Sequence, residues 1–143
     1  MNYTAGTLWN FITQPQAALV SQNMYKNDKY VESDLINSYA WDTTIVYIQE
    51  MGNSNYANKT DGNGTLKNTG STGDEKCKIF DMAGKTTEWT TEYSTNTDSR
   101  LAYPCTRRGG SYGDSRYYTS RRLNSYATVS NFLVSFRPLL YVK

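Results

Sequence analysis

Histidine is absent from the 143-residue chain, and this absence excludes several kinds of catalytic site at once. Serine–histidine and cysteine–histidine nucleophile pairs, imidazole acid–base catalysis and histidine-containing zinc sites all require that side chain. Most hydrolase mechanisms therefore lack their usual general base here. Cysteine is scarce as well and occurs only as Cys77 and Cys105. We interpret both as small buried apolar residues or, in an exported protein, as the two halves of one disulfide.

Long apolar runs are also lacking, since no run exceeds four residues and residues 17–20 form one of that length. A membrane-spanning helix needs roughly 20 apolar residues, and a signal peptide needs an apolar core of roughly 7–15. We therefore expect no direct membrane insertion and no signal peptide within this chain. Any export signal would lie in a longer parent sequence.

Hydrophobic residues make up only 38% of the chain, yet aromatic residues reach 14%, with 13 tyrosines among them. Aromatic side chains bury large areas and can supply much of the core, which argues against disorder. Since domains usually have roughly 100–200 residues, we predict that residues 1–143 form a single domain.

Charge is distributed unevenly, with −5 over residues 1–99 and +7 over residues 100–143, where all seven arginines lie. A basic region attracts phosphate or acidic partners, but nucleic-acid-binding domains usually combine it with lysine and a recognisable reading motif. The chain has no such motif, so we do not expect nucleic acid as a partner. Arginine also makes stacked and bidentate contacts, and we assign two or three of these residues a structural role.

Two helices are predicted within the first 51 residues. In the first, Thr13 and Gln16 match a capping box, and the proline between them is tolerated in the first helical turn. Ala17, Val20 and Met24 then recur at helical spacing. We expect this helix to end near position 25.

The second helix is predicted to start between positions 33 and 37. Trp41, Ile45 and Ile48 have the spacing that places three apolar side chains on one helical face. Gly52 can adopt the left-handed conformation that ends many helices. Residues 52–74 are rich in Asn, Gly, Thr and Ser, which predicts a long surface loop.

Short strands are predicted in the second half of the chain. In the clearest of them, Phe132, Val134 and Phe136 alternate with Leu133 and Ser135 and should form an apolar face. Helices followed by short strands predict an α+β domain. The predicted strands cover residues 78–82, 87–92 with Trp89 pointing inward, 105–108, 132–136 and, after Pro138, 139–142.

Four short motifs occur between positions 79 and 138. They are Ile79-Phe80-Asp81-Met82-Ala83-Gly84, Glu88-Trp89-Thr90, Arg108-Gly109-Gly110-Ser111 and Ser135-Phe136-Arg137-Pro138. In this order they resemble the formylglycine-generating enzyme (sulfatase-modifying factor) family. The resemblance implies the family's variant of the C-type lectin-like fold, here with two N-terminal helices, short antiparallel strands and long irregular loops.

The motif residues are predicted to form the scaffold. The paired glycines allow a close backbone approach or a positive φ beside a strand. A tryptophan provides a large anchor, and an arginine can hold loop carbonyls together. The predicted scaffold residues are Trp89, Arg108, Gly109, Gly110, Ser111, Phe136 and Arg137.

The family's catalytic chemistry is not expected in this chain. The resemblance implies that catalytic members use two cysteines after the R-G-G-S motif for copper-dependent oxidation, but no cysteine follows Ser111. We therefore predict no enzyme, no catalytic residue and no cofactor. The family often holds a structural calcium near Glu88, but Lys85 stands where asparagine is usual, so calcium is only the alternative. Glu88 and Glu92 are interpreted as partners in surface salt bridges.

The stretch from Tyr112 to Asn131 differs in composition from a core segment. It contains four Tyr, three Arg and four Ser, and Leu123 and Val129 are its only aliphatic residues larger than alanine. This mixture is typical of adaptable binding surfaces, in which tyrosine gives wide contact at low entropic cost. We predict that the ligand-binding residues are Tyr112, Gly113, Asp114, Arg116, Tyr117, Tyr118, Arg122, Leu123, Asn124, Ser125 and Tyr126.

The position of this stretch is similar to that of the diversified segment in variable proteins of diversity-generating retroelements. In those systems mutagenesis at adenines turns asparagine-type codons into codons for residues such as Tyr, Asp, Ser, Gly, Arg or Leu. The resemblance implies a non-enzymatic module on a phage particle or bacterial cell surface that binds a protein or glycan of a cell. We make no prediction of its oligomeric state.

Three alternatives stay open at this stage. In the first, the chain is an oxidase relative with lost or altered catalytic cysteines. In the second, it is a structural domain of a larger bacterial or phage surface protein. In the third, the stretch is simply an irregular, polar and tyrosine-rich loop region of a lectin-like fold. Tyr112 has an alternative of its own, since the family places an aromatic residue beside the turn, where it is buried.

Overall fold

The computed structural model describes residues 6–60, 64–71, 73–95 and 102–143 of the chain. These residues form two α-helices and eight short strands in three small sheets, a mixed α+β arrangement. No helix of the described residues combines the length and the apolar character needed to cross a membrane. The elements are α1 (Gln14–Met24), β1 (Val31–Leu35), α2 (Ser38–Glu50), a 3₁₀ turn (Tyr56–Asn58), β2 (Glu75–Lys76), β3 (Ile79–Phe80), β4 (Thr87–Tyr93), β5 (Cys105–Arg108), β6 (Arg122–Ser125), β7 (Val134–Phe136) and β8 (Pro138–Val142).

Helix α1 has the predicted capping box. The Thr13 side chain accepts a hydrogen bond from the Gln16 N–H, and Gln16 Oε1 accepts one from the Thr13 N–H at 3.0 Å. The helix ends at Met24, close to the predicted position, but Met24 is exposed and Ser21 is buried. A small residue faces inward because α1 packs on β1, where Ser33 Oγ donates to the Ser21 carbonyl at 2.5 Å.

Helix α2 confirms the second prediction. Asn37 is its N-cap, and Trp41, Ile45 and Ile48 are buried on one face. Gly52, two residues beyond the helix, has a φ of +100°. The predicted left-handed conformation therefore occurs where the chain turns away from the helix.

Strand β1 lies between the two helices and was not predicted. It pairs antiparallel with β8, which runs close to the predicted strand at 139–142. Ser33 and Leu35 are the buried residues of β1. A polar residue at an inward position conceals the apolar alternation by which a strand is recognised.

The largest sheet has the strand order β6-β5-β4-β7. Strands β4 and β5 lie at the predicted positions, and Trp89 of β4 is fully buried. Strand β5 is antiparallel to β4 and β6, but β7 is parallel to β4, so the prediction of antiparallel strands is wrong for this pair. After β6, at one edge of the sheet, the chain crosses to the opposite edge and enters β7. Strand β7 runs in the same direction as β6 and β4, so its pairing with β4 is parallel.

The predicted apolar face at 132–136 is wrong in two positions. Strand β7 begins at Val134 and leaves Phe132 50% exposed, whereas Ser135 is buried. Ser135 can face inward because its Oγ shares a 2.6 Å hydrogen bond with Thr86 Oγ1, which satisfies the buried hydroxyl.

The strand predicted at 78–82 is also shorter than expected. Only Ile79–Phe80 is extended, and it forms a hairpin with Glu75–Lys76. Cys77 and Lys78 form the two-residue turn, with φ values of +55° and +64°. Such turns require positive φ at both central residues and favour Asn-Gly, so this sequence does not signal the hairpin.

Two apolar clusters form the core. One packs α2 against Tyr56, Met82 and Ala83, and the other joins α1, β1, β4 and β7 around Trp89. The Trp89 Nε1–H donates to the Ile12 carbonyl at 2.9 Å. Since Tyr56 is buried, the region at 52–74 does not lie wholly on the surface as predicted.

Candidate functional site

The turn after β5 depends on its two glycines, each for a different reason. Gly109 has a φ of +90°, and a Cβ there would lie 2.9 Å from the Trp41 ring. A Cβ on Gly110 would lie 2.0 Å from the carbonyl oxygen of Ala83, which no side chain permits. Ser111 is buried after them, and its Oγ accepts the Gly113 N–H at 3.3 Å. Positive φ and close approach were both predicted, and both occur.

Arg108 is fully buried at the end of β5. Its guanidinium bonds the Asp42 carboxylate, lies 3.5 Å from Glu92 Oε2 and stands over the Trp41 ring. Arg122 on β6 closes the group, with Nη2 2.6 Å from Asp42 Oδ2 and Nε 3.0 Å from Glu92 Oε1. We call Asp42, Glu92, Arg108 and Arg122 the Asp42 network. It ties α2, β4, β5 and β6 together.

The two acids of the Asp42 network have no motif of their own in the sequence. Burial raises the pKa of Asp42, but Arg108 and Arg122 outweigh it and hold the pKa below its usual value. Asp42 lies about 100° around α2 from Trp41, beside the apolar face and not on it, so the helical periodicity does not indicate its role. Glu92 makes the salt bridges that were predicted for it, although through buried and half-exposed arginines.

Glu88 has a different role from the one predicted. It is 7% exposed, and its two carboxylate oxygens each lie 2.9 Å from a nitrogen of Arg137. The pair is therefore a bidentate ion pair between a buried carboxylate and a partly exposed guanidinium, and not a surface salt bridge. Arg137 also donates to the Phe80 carbonyl at 3.0 Å, as expected of a residue that holds loop carbonyls.

The loop before β4 contains a buried ion pair. Lys85 Nζ lies 3.1 Å from Asp81 Oδ2, and both side chains are at most 5% exposed. Burial lowers the pKa of Lys85, and Asp81 opposes that change. Both residues have a positive φ. Among the described residues, no group of three or more His, Cys, Asp or Glu side chains is placed to hold a metal ion.

Residues 112–126 form one continuous surface segment, which we call the 112–126 segment. Its main chain is fixed to the body of the protein at several points. The Tyr112 N–H donates to the Lys85 carbonyl at 2.8 Å, and the Thr119 N–H donates to the Lys59 carbonyl at 2.9 Å. The Thr119 carbonyl accepts the Trp41 indole N–H at 3.2 Å, and β6 pairs along its length with β5. These anchors use backbone atoms of the segment.

The side chains of the segment divide into three groups by exposure. Ser125 is only 4% exposed, so its assignment as a ligand-binding residue is wrong. It faces inward because β6 pairs with β5, which places Ser125 opposite Cys105. The predicted ligand-binding residues that are exposed are Gly113, Arg116, Tyr118, Arg122, Asn124 and Tyr126, and those of intermediate exposure are Tyr112, Asp114, Tyr117 and Leu123.

Tyr112 lies beside the turn, as the family resemblance implied. Its ring packs against Phe132 at a centroid distance of 6.5 Å. Tyr126 is in contact with Tyr103, whose ring centroid is 4.6 Å away and whose position before β5 was not predicted as part of the surface. The aromatic surface therefore extends beyond the segment at both of its ends.

Arg121 was also missing from the predicted residues, although it lies within the tyrosine- and arginine-rich stretch. It is exposed, and its guanidinium lies 4.7 Å from the centroid of the Tyr117 ring. Arg116 forms a bidentate pair with Asp114, with Nε–Oδ1 at 2.9 Å and Nη2–Oδ2 at 2.7 Å. Hydrogen bonds from Arg116 lower the pKa of Asp114 to about 2, so this carboxylate is ionised at neutral pH.

Neither of the two cysteines belongs to the 112–126 segment. Both are free and half-buried, Cys77 in the β2–β3 turn and Cys105 at the start of β5. Burial raises the pKa of the Cys105 thiol. A thiol with a raised pKa is less reactive than an ordinary cysteine, because the thiolate is the nucleophile.

Comparison with known protein families gives one finding. A family model described as the sulfatase-modifying factor enzyme 1-like domain matches residues 20–139, which include α2, all strands up to β7 and the 112–126 segment. Neither the curated proteins nor the solved structures give a significant match to the chain.

Proposed function

The chain belongs to the sulfatase-modifying factor enzyme 1-like family, and from this premise we propose that it is a non-enzymatic ligand-binding module. The module has a C-type lectin-like fold and functions as a variable protein of a diversity-generating retroelement. Its 112–126 segment binds a protein or glycan receptor on a cell surface. The module is carried on a phage particle or a bacterial cell surface, binds no nucleic acid and does not insert into a membrane.

One observation carries this proposal, namely the separation between what fixes the segment and what it exposes. The fixed atoms are main-chain groups, the buried side chains of Thr119 and Ser125, and the Arg122 side chain, which belongs to the Asp42 network. The exposed side chains include Arg116, Tyr118 and others that contribute nothing to either apolar cluster. Such positions tolerate replacement, as a diversified binding surface requires.

The residue types on the surface also support binding. Tyrosine and arginine are enriched among the residues that dominate interface energies, and serine and asparagine adapt their hydrogen bonding to different partners. The ion pair of Asp114 with Arg116 and the stacking of Arg121 on Tyr117 restrict side chains before a ligand arrives. Restricted side chains lose less entropy on binding.

A catalytic role has less support. No cysteine follows Ser111, both cysteines are half-buried, and burial raises the pKa of the Cys105 thiol. An oxidase relative with altered cysteines is the second candidate, because family membership alone is compatible with it. Copper titration separates the two: stoichiometric copper binding with oxygen consumption favours the oxidase.

We also propose that the fold needs no calcium. The carboxylates near the family's calcium position are Asp81 and Glu88, and each already pairs with a cation, the buried Lys85 for the first and the partly exposed Arg137 for the second. A divalent cation would meet two positive charges there, so this set of donors does not fit calcium.

The nucleotide sequence around the gene tests the diversification proposal. We expect a reverse-transcriptase gene and a second, near-identical copy of the region that encodes the 112–126 segment. Differences between the copies should fall at adenines of the template and at codons for exposed residues, and should avoid Ser111 and Thr119. A locus with neither a reverse transcriptase nor a repeat would contradict the proposal.

A further inference from the structure

The arginines of the second half of the chain are not all neutralised. Arg108 and Arg122 bind the acids of the Asp42 network, Arg116 binds Asp114 and Arg137 binds Glu88. Arg107 and Arg121 form no ion pair with any part of the chain that the structure describes. Among the described residues, neither of these two guanidinium groups is therefore bonded directly to a carboxylate.

The two arginines have different aromatic neighbours. The Arg121 guanidinium stacks over the Tyr117 ring at 4.7 Å. The Arg107 guanidinium lies instead over the Trp89 ring, 5.7 Å from its centroid, and burial lowers the Arg107 pKa. Arg107 donates one hydrogen bond to Thr87 Oγ1 at 3.2 Å, and its Nε is buried without a partner.

A guanidinium that stacks on an aromatic ring keeps the N–H groups at its edge available for hydrogen bonds. A carboxylate accepts such bonds in pairs, and charge-assisted bonds of this kind are about twice as strong as neutral ones. The nearest acid of the segment, Asp114, already accepts three bonds from the Arg116 side chain. Among the described residues, no carboxylate forms an ion pair with Arg121. Its N–H groups can therefore bind an anion of a partner.

Two observations bear on the choice between protein and glycan ligands, namely the cavities and the residue types. Four cavities among the described residues are lined by side chains outside the 112–126 segment. Small ligands usually need a concave site, whereas protein interfaces are broad and use tyrosine and arginine at their centres. The observations therefore favour a protein surface as the partner.

We infer that Arg121, exposed and stacked on Tyr117, is the point at which the segment recognises Asp or Glu carboxylates on a protein receptor. The inference rests on the proposed function and specifies the partner's chemistry. It predicts that binding weakens as salt is raised, because the attraction is between partly exposed charges.

The test is a titration of the whole chain with a short peptide of alternating Glu and Ser. NMR of the arginine Nε–H and tyrosine ring signals detects binding of the peptide. We expect saturable shifts at Arg121 and Tyr117 that are absent with the matching Gln and Ser peptide. Arg121→Gln should weaken binding at least about tenfold, and Arg121→Lys should restore only part of it, because lysine lacks the planar fork. Both exposed side-chain changes leave the backbone anchor of Gly109 N–H to the Arg121 carbonyl in place.

Lys29→Gln is the matched control, because Lys29 is another exposed cation beside a tyrosine ring, 5.3 Å from the centroid of Tyr30. It removes the same charge far from the segment in sequence and should leave peptide binding unchanged. Equal binding by wild type and Arg121→Gln, or shifts spread over all cationic side chains, would overturn the inference. Tighter binding of an acidic oligosaccharide with the same charge would assign the site to a glycan instead.

The two proposals can fail separately. If the peptide does not bind but the gene is flanked by an adenine-restricted repeat, the ligand class is wrong and the proposed function stands. If the repeat is absent but the peptide binds at Arg121, the surface recognises carboxylates without being diversified.

Discussion

Single residues determine how closely the turn after β5 approaches the core. Gly110 is the most restricted, since its backbone lies against the Ala83 carbonyl. Gly109 needs both a positive φ and the space beside Trp41. Because Arg108 precedes this turn and the 112–126 segment follows it, the two glycines set the position from which the exposed surface begins. The glycines therefore affect function indirectly, because they position the 112–126 segment.

Gly110→Ala should lower the free energy of unfolding by about 3 kcal/mol or more, because the new Cβ overlaps a backbone oxygen that cannot move alone. Gly113→Ala is the matched control, as its Cβ would meet nothing closer than Leu133 Cδ2 at 3.4 Å. We expect the control to change the free energy by no more than about 0.5 kcal/mol. Urea denaturation followed by tryptophan fluorescence measures both. Equal midpoints for the two variants would show that the turn at Gly110 adjusts without cost.

At the scale of elements, the sequence predicts best where the periodicity is strong. Helix α2 was predictable because Trp41, Ile45 and Ile48 share a face. Strand β6 was not, because its inward residues are Leu123 and Ser125 and the pattern contains only one aliphatic side chain. The location of the binding segment follows from its composition, but the exposure of individual residues does not. That exposure depends on pairing between β5 and β6, which is a long-range property.

The Asp42 network is where elements are joined by charge, and Asp42→Asn tests it. The change leaves the fully buried Arg108 with one acidic partner fewer. We expect a loss of about 1–2 kcal/mol at neutral pH, less than for a fully buried pair because Asp42 is 45% exposed. The low pKa of Asp42 means that its stabilisation is present above the unfolded-state pKa and disappears as pH falls through the folded-state value.

The stability difference between wild type and Asp42→Asn should therefore shrink as the pH is lowered from 7 toward about 2. Urea denaturation at several pH values measures this difference. Glu50→Gln, at the exposed end of α2, is the control and should differ little from wild type at any pH. A gap that stays constant with pH would mean that the Asp42 charge does not stabilise the fold.

For the molecule as a whole, the proposal requires that binding and folding depend on different residues. The apolar clusters lie around Trp41 and Trp89, and neither contains a residue of the 112–126 segment. Replacing Arg116, Tyr117 and Tyr118 together by Ala should therefore shift the melting temperature by about 4 °C or less, while receptor binding is lost. The small expected shift comes from Tyr117, which is half-buried and stacks with Arg121.

Trp89→Ala gives the opposite result if the separation holds. Trp89 is fully buried between α1 and the sheet, and its truncation should cost about 3–5 kcal/mol, enough to prevent folding of many domains of this size. Calorimetry of both variants compares the effect of the exposed residues on stability with that of the core residue. Receptor binding is measured on each variant that still folds. A loss of stability in the triple variant comparable to that of Trp89→Ala would assign the three exposed residues to the core, because side chains that only contact a ligand cannot stabilise the free protein to that extent.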